Sequence, residues 1–411
     1  MSGLGSGSQK MRKGIAGFRG SRLVQARLAR QLPSRASLAR LIGKNSSTVG
    51  RWEDGDVSPE AETLLELSKV LNVRAEFFLR EEPSVDFSLA PPFYRSLAST
   101  LKRDRQMQES RLEWLQEISL AIQHYVNLPT VDIPDFLGGK SFRQLRNGDI
   151  EGIAKELREH WGLGQEPITD ITAQMERAGI VVAAEEMGTS KLDGLSRWND
   201  ADQRPYVLLA SDKMSFPRRQ MDGAHELGHI VLHRNVSATE LSSHFKEIES
   251  QAFRFAAAFL LPAEQFASEV TIPSLSNLLV LKERWRVAVK AQIRRLKDLS
   301  LIDSDSATQM YKIHSAKKWT RCEPLDDAWS ISQPRLLADA LNLITEGNVR
   351  TKDELLGCEF VVAASDVESL AGLPEGWFAR RPTEVVHLKP ASAQRGSKTV
   401  GGTVLPFNRK E

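Results

Sequence analysis

The sequence predicts an α+β protein that is mostly α-helical: an all-α N-terminal domain, a long linker helix, an α+β domain and a helical C-terminal region. Apolar residues recur at helical spacing through most of the chain, whereas the clearest β-rich runs lie within residues 179–210. With 411 residues, of which 41% are hydrophobic, the chain can form two or three domains with cores of their own.

The N-terminal end is basic. Residues 1–10 are rich in Gly and Ser, so we predict a disordered leader over residues 1–17. Between Lys10 and Arg51 the chain has eleven Lys and Arg residues and no Asp or Glu. Such a stretch predicts a basic surface of the kind that binds phosphates.

A tight turn at residues 43–45 separates two helices of an all-α domain that we predict over residues 18–82. Together with the apolar positions on either side, this spacing resembles the helix-turn-helix of phage-repressor-like (Xre-type) regulators. The resemblance implies binding to double-stranded DNA, with the second helix of the motif in the major groove.

The positions that the resemblance assigns to DNA contact are Lys44, Asn45, Ser46, Ser47, Thr48, Gly50 and Arg51. Asn45, the two serines and Gly50 fall where base-facing residues lie, while Lys44 and Arg51 fall near phosphates. Three further residues are expected to add affinity that is independent of DNA sequence: Arg22, Arg27 and Arg35. The alternative is a helical domain used only for dimerisation, and the absence of acidic residues weighs against it.

Prolines mark a linker after this domain. Pro83 and the Pro91-Pro92 pair precede a long amphipathic helix predicted over about residues 92–126, within a linker segment of residues 83–135. Its apolar stripe is suited to pack against another domain or against its own copy. A homodimer is therefore one expectation.

A small sheet is predicted inside an α+β domain of residues 136–265. Residues 179–184 and 205–210 have the composition of strands, and residues 192–196 form a third strand or a turn. The edge strand of such a sheet can hold an extended substrate by backbone pairing.

The helix after these strands carries a His-Glu-x-x-His motif at residues 225–229. Ser215 is its expected N-cap, with Pro217 in the first turn. Four residues apart on one helix, His225 and His229 point at one spot, and Glu226 beside them can reach a water bound there. This is the arrangement of zinc peptidases, in which the metal lowers the pKa of its water and the glutamate takes the proton.

A catalytic zinc site needs a third protein ligand. Glu249, twenty residues after His229 on a second amphipathic helix, is the preferred candidate. Glu247 and His244 compete with it, but Glu247 is rotated away by about 200° at helical pitch. His233 is expected to pack or to support a ligand rather than bind the metal.

This layout resembles thermolysin-like gluzincins, and in detail it is similar to the ImmA/IrrE family of cytoplasmic zinc metallopeptidases. The elements that carry the similarity are residues 192–196, Arg218, residues 224–229, Leu232, His233 and residues 249–262. With the N-terminal motif, residues 12–320 resemble the fused regulator–peptidase members. The resemblance implies Zn²⁺ bound by His225, His229 and Glu249, with Glu226 as the general base. It also implies a protein substrate, typically a repressor or antitoxin that controls a stress response or a mobile element.

One position departs from the family pattern. Phe253 stands where the family commonly has Asn, which can orient a ligand histidine. The alternative function is therefore a transcription regulator that cleaves nothing and whose zincin-like domain is structural or senses a ligand. Self-cleavage around residues 83–92 is a third hypothesis. The candidates for stabilising an oxyanion are Tyr206, His233, His244 and Arg218.

The C-terminal part carries no recognisable chemistry. Residues 266–320 are predicted to form a small helical subdomain, and residues 321–411, with a helix at 334–345 and a weak strand at 360–364, have no assigned role. Two cysteines are too few for a disulfide framework, so a cytoplasmic location is expected. The sequence has no apolar run of the roughly 20 residues that a membrane span needs, so no membrane partner is expected.

Overall fold

A computed structural model describes residues 14–81, the backbone of 93–94, and residues 102–188, 192–212 and 215–379. Four helices form the N-terminal domain: α1 (Gly20–Ala29), α2 (Arg35–Leu41), α3 (Ser46–Glu53) and α4 (Ala61–Leu71). Their core contains Leu23, Leu38, Val49 and Leu67, all fully buried. The four predicted helices are thus confirmed.

The turn between α2 and α3 depends on Gly43, whose φ of 59° lies in the left-handed region that favours glycine. Ser34 caps α2 through a reciprocal pair of hydrogen bonds with Ser37. Residues 1–13 of the predicted leader lie outside the described residues. The Ile15 amide donates a hydrogen bond of 3.0 Å to Pro59 O, so the ordered domain begins before residue 18.

The linker helix α5 spans Lys102–Gln123. The prediction that helix begins near residue 92 is wrong for Phe93 and Tyr94, because their backbones form the short strand β1 (Phe93–Tyr94) in the central sheet. Aromatic residues fit a strand well, and pairing with the sheet decides their conformation. The flanking positions 82–92 and 95–101 lie outside the described residues.

The α+β region carries three further strands and four helices: α6 (Asn147–His160), α7 (Ile171–Arg177), β2 (Val181–Glu185), β3 (Gly194–Asn199), β4 (Arg204–Ala210), α8 (Phe216–Leu232) and α9 (Ala238–Leu260). The strand order is β1-β3-β4-β2. β2 and β4 are parallel, whereas β3 runs antiparallel to both β4 and β1. The third predicted strand is therefore a strand and not a turn.

Both faces of this sheet are buried, and successive residues alternate between them. Val182 and Val207 pack in the core that includes α8 and α9. Val181 and Leu208 pack in a second core that also contains residues of α5 and the N-terminal helices. The sheet is thus a layer shared by the N-terminal and α+β regions.

Four helices follow the α+β region: α10 (Ala263–Glu269), α11 (Leu275–Trp285), α12 (Val289–Asp298) and α13 (Ser304–Ala316). Leu278, Ile293 and Met310 from these helices share one apolar core with Leu227 of α8. Residues 266–320 therefore do not form a core separate from that of residues 136–265.

The C-terminal segment packs on the other side of the sheet. Its helices are α14 (Leu336–Glu346), α15 (Lys352–Glu354), which continues into a π-helical turn at Leu355–Glu359, and α16 (Ala364–Ala371). The weak strand predicted at 360–364 reduces to one bridge between Val362 and Val73, since α16 begins at Ala364. None of the helices in the described ranges combines the length and the hydrophobicity that a membrane span requires.

Candidate metal centre and DNA-facing surface

Helix α8 presents the His-Glu-x-x-His motif to the protein interior. Ser215 occupies the N-cap position and Pro217 lies in the first turn, as the sequence predicts. His225, Glu226 and His229 are buried, with at most 3% of each residue exposed. The helix is tied to the sheet because Trp198 Nε1 of β3 donates a hydrogen bond of 3.0 Å to Ile230 O.

Helix α9 brings the third candidate ligand, Glu249, against α8. A close approach of the two helices is possible at Gly228: a Cβ atom there would lie 3.1 Å from Ala252 O and 3.2 Å from Ala252 Cα. Glu249 is 7% exposed. The glycine between the two motif histidines thus lets the carboxylate reach them.

Three side chains converge on one point. His225 Nε2 and His229 Nε2 lie 3.1 Å apart. Glu249 Oε1 is 3.2 Å from His229 Nε2, and Glu249 Oε2 is 3.5 Å from His225 Nε2. Ligand atoms around a tetrahedral zinc ion with bonds of about 2.0–2.1 Å are about 3.4 Å apart. The spacing of this triad therefore fits a tetrahedral metal ion.

The protonation states of the triad also suit a cation. Burial lowers the pKa of His229 to about 4, so its imidazole is neutral near pH 7. Burial tends to raise the pKa of Glu249, but the interactions with the adjacent His225 and His229 outweigh it and hold that pKa at about 2. Metal ions bind neutral imidazole and ionised carboxylate, so neither group must lose a proton first.

Glu226 lies beside the triad and against strand β3. Ser196 Oγ donates a hydrogen bond of 2.6 Å to Glu226 Oε2, and a Cβ atom at Gly194 would lie 3.0 Å from Glu226 Oε1. Burial raises the pKa of Glu226 to about 8, although His225 and Ser196 oppose that shift. The chain thus holds a carboxyl group with strong affinity for a proton next to the candidate metal position.

The side chains of His233 and Gln251 form a hydrogen-bonded series that begins at His229. His229 Nδ1 and His233 Nδ1 are 3.1 Å apart, and His233 Nε2 is 2.9 Å from Gln251 Oε1. Gln251 is itself fixed by a hydrogen bond of 2.9 Å from its Nε2 to Phe142 O. This geometry favours the tautomer in which each histidine donates outward, so that His229 Nε2 carries the lone pair that a cation needs. His233 therefore lies between a candidate ligand and Gln251, where the sequence analysis expects it to pack or to support a ligand.

The competing ligands lie elsewhere. Glu247 is exposed and pairs with His244 at 3.5 Å. Among the described residues, the cluster of metal-binding type that forms is His225, His229 and Glu249. Phe253, at the departing position, packs its ring 4.1 Å from the ring of His225.

The prediction that Tyr206 could stabilise an oxyanion is wrong. Its side chain packs in the core on the sheet face opposite α8, and its hydroxyl donates a hydrogen bond of 2.6 Å to Asp202. Arg218 is half-exposed and pairs with Asp193 at 2.7 Å. Strand alternation reverses the direction of a side chain at each residue, and this decides the face that Tyr206 occupies.

The predicted DNA-contacting residues are mostly exposed at the helix-turn-helix. Lys44, Asn45, Ser46, Ser47 and Arg51 are exposed, and Thr48 is half-buried. Gly50 is buried instead, and a Cβ atom on it would lie 3.0 Å from Arg35 Nη1. The prediction that Gly50 faces DNA bases is wrong, because the side chain of Arg35 covers it.

Several arginines of the basic stretch form ion pairs within the protein. Arg22 is fully buried and pairs with Glu117 of α5, while Arg27 pairs with Glu53 at 2.6 Å. The prediction that these two arginines contact phosphates is therefore wrong, since their charges are neutralised inside the protein. Arg35 is part-exposed, with its guanidinium on Glu53 and Asp54.

Arg40, which the sequence analysis missed, is exposed near the end of α2. Together with Lys44 and Arg51 it makes no ion pair within the described part of the chain. All three residues are exposed on the helix-turn-helix motif.

Two family sequence models match the chain. A helix-turn-helix model matches residues 25–78, and the model of the IrrE N-terminal-like domain, a peptidase family, matches residues 175–297. The chain therefore combines a helix-turn-helix DNA-binding domain with a domain of metallopeptidase type. That second domain is IrrE/ImmA-like, and the N-to-C order of the two matches confirms the predicted fusion. A search of curated proteins finds no match to the chain.

Proposed function

We propose that the chain is a DNA-binding transcription regulator whose second domain is a zinc-dependent endopeptidase of gluzincin type. Its substrate would be a regulatory protein of repressor or antitoxin type, in a stress response or in the control of a mobile element. The observation that carries the proposal is the convergence of His225, His229 and Glu249 at 3.1–3.5 Å, with Glu226 beside them. The DNA-binding part rests on the exposed basic residues at α3.

A bound zinc ion would supply Lewis-acid activation of a water molecule and of the scissile carbonyl. Glu226 would accept the proton of the attacking water and pass it to the leaving nitrogen. Ser196 holds Oε2 of that carboxylate, so Oε1, beside the side-chain-free Gly194, remains to face the water. His233 and Gln251 would keep the ring of His229 in the orientation that a ligand needs.

The experiment replaces Glu226 with Gln, which keeps the shape of the side chain and removes the base. Zinc content should stay at about one ion per chain, because the three ligands are unchanged. Cleavage should fall by about 10²–10⁴-fold. Cells that express either form would be compared by mass spectrometry of new protein N-termini and by transcript levels.

Glu247→Gln is the matched control, since Glu247 lies two residues from Glu249 but is exposed and pairs with His244. It should behave as the unaltered protein in both measurements. If Glu226→Gln leaves every N-terminus and every transcript unchanged, the peptidase proposal fails.

One observation favours the second candidate, a regulator that cleaves nothing. The ring of Phe253 lies 4.1 Å from His225, where a hydrogen-bonding residue would otherwise orient that ligand. In that case zinc would bind and DNA binding would respond to the metal, but Glu226→Gln would have no effect. The same experiment therefore separates the two candidates.

A further inference from the structure

The strand β1, formed by Phe93 and Tyr94 of the linker, is the edge strand next to β3, which places Ser196 and Gly194 at the candidate active site. Its residues pair antiparallel with β3 in the register Phe93 to Ser196 and Tyr94 to Leu195. β3 is bonded on its other side to β4. Within the described residues, β1 therefore covers the edge of β3 at Leu195 and Ser196, where β3 would otherwise present unpaired backbone groups.

The covered edge lies at the level of the proposed catalytic base. Ser196, the partner of Phe93, donates its hydroxyl proton to Glu226, and Gly194 on the same face lies against the other oxygen of that carboxylate. Leu195 points to the opposite face, into the core with α5. A polypeptide that paired with this edge would run directly past Glu226.

We propose that β1 occupies the site where an extended polypeptide substrate pairs with β3, so that the linker and the substrate compete for one strand position. The proposal rests on the proposed function, because it names how that site takes its substrate. The substrate class is a segment that can become extended, captured by main-chain hydrogen bonds in antiparallel register with residues 194–196.

The small number of backbone hydrogen bonds between β1 and β3 allows such competition. β1 pairs through only two residues, so the backbone hydrogen bonds lost on displacement are few. Because β1 belongs to the same chain, it acts at an effective concentration on the order of mM for a short connection. A substrate must therefore form a longer pairing than β1 does, or arrive after β1 has been drawn away.

The first test fixes β1 in place. Tyr94→Cys and Leu195→Cys would be combined in a background with Cys322→Ser and Cys358→Ser, since both native cysteines are free and exposed. Directly opposed residues of antiparallel strands have Cα atoms about 4.5–5.5 Å apart, within the disulfide range of about 4.4–6.8 Å. Neither Tyr94 nor Leu195 belongs to the catalytic group. If mass spectrometry detects no disulfide under oxidation, the pairing and the proposal fall.

The second test weakens the pairing of β1 with β3, so that the edge of β3 becomes available. Phe93→Pro with Tyr94→Pro removes two backbone donors from β1. The probe is a fluorescent synthetic peptide with the sequence of residues 88–99 of this chain, followed by fluorescence anisotropy. The open variant should bind the peptide at least tenfold more tightly than the unaltered protein, and the oxidised variant should not bind it. Reduction should restore the affinity of the unaltered protein.

Equal affinities for the open and oxidised forms would overturn the proposal. Cutting of the peptide, seen by mass spectrometry, would also overturn it, because the linker would then be a substrate rather than a competitor. If the proline variant does not fold, the oxidised and reduced forms of the cysteine variant still decide the matter. Peptide binding requires no turnover, so this result stands even where Glu226→Gln shows that the chain hydrolyses nothing.

Discussion

The two faces of the central sheet bury different kinds of groups. The face toward α8 is mainly apolar and places its few polar groups, such as Ser196, at the candidate metal centre. The face toward α5 joins the sheet to distant parts of the chain through buried charges. Arg111 of α5 pairs there with Glu185 of β2 and with Asp366 of α16, and Asp366 also binds Arg30 of α1.

This difference shows how the two domains are combined. One face of the sheet forms a site, while the other holds the helix-turn-helix domain through ion pairs with little exposure to solvent. Buried pairs of this kind fix one arrangement, because removing one partner leaves a charge that water cannot reach. The helix-turn-helix domain is therefore docked on the peptidase-type domain and is not connected to it by the linker alone.

The strongest test of this difference removes the shared carboxylate Asp366. In Asp366→Ala, the buried guanidinium of Arg111 and the part-buried one of Arg30 lose an acidic partner. We expect a loss of about 3–5 kcal/mol in the free energy of unfolding, measured by urea denaturation, while the folded protein still binds zinc. The control Asp339→Ala removes an exposed partner of Arg335 and should change stability by less than about 0.5 kcal/mol. Equal losses of stability in the two variants would contradict the structural role assigned to the buried ion pairs of Asp366.

On the other face, Gly228→Ala should force α8 and α9 apart, because the new Cβ atom would meet the backbone of Ala252. We expect a loss of about 1–3 kcal/mol in stability and a zinc affinity weakened by about 10–100-fold, measured by calorimetry. In Gly152→Ala on α6 the new Cβ atom meets nothing within 4 Å. That variant should be as stable as the unaltered protein or slightly more so. Full zinc affinity in Gly228→Ala would show that helix spacing does not position Glu249.

The DNA-facing surface should be separable from both faces. Lys44→Ala and Arg51→Ala each remove an exposed charge from the helix-turn-helix. Each should weaken DNA binding by about tenfold and reduce the slope of log affinity against log salt by about one, measured by fluorescence anisotropy. Zinc affinity should not change. Binding that is equally salt-dependent in all forms would refute the placement of α3 on DNA.

The smallest expected effect concerns the contact between α1 and α5. Burial raises the pKa of Glu113 to about 7, opposed by the charge of Arg197 and the hydrogen bond from Gln25. In the folded state this group holds its proton at a pH where the unfolded chain has lost it, so its contribution to stability falls as pH rises from about 4.5 to about 7.

Glu113→Gln should therefore stabilise the protein by about 1–2 kcal/mol at pH 8 and have little effect at pH 4. The measurement is thermal unfolding at several pH values. Glu117→Gln, one turn away, removes the partner of the buried Arg22 and should destabilise the protein at pH 8. A change in stability that is the same at every pH in Glu113→Gln would contradict the raised pKa of Glu113.

The sequence was sufficient where local geometry decides the outcome. Helical periodicity alone places His225 and His229 together, and it excludes Glu247. The turn at residues 43–45 follows from the left-handed conformation that Gly43 supplies. In each case the relevant neighbours lie within a few turns of the same or the next helix.

Predictions failed where a distant partner decides the outcome. The basic stretch predicts phosphate contacts, but Arg22 meets Glu117, 95 positions further along the chain. Likewise, β1 becomes a strand because β3 pairs with it, although the local pattern continues the helix. The described part of the C-terminal region shows no motif, and its contacts with Arg30 and Arg74 span more than 280 positions.

Arg74 and Arg80 hold the main chain of the C-terminal segment at the back of the helix-turn-helix domain: Arg74 binds the carbonyl of Leu356, and Arg80 those of Cys358 and Glu359. Consequently, a break anywhere in the linker before α5 would not liberate the DNA-binding domain. The two pieces would separate on a denaturing gel yet migrate together in gel filtration. Cleavage of the linker alone would therefore leave the helix-turn-helix domain bound to the rest of the chain, and its release would require that these arginine-to-carbonyl hydrogen bonds also break.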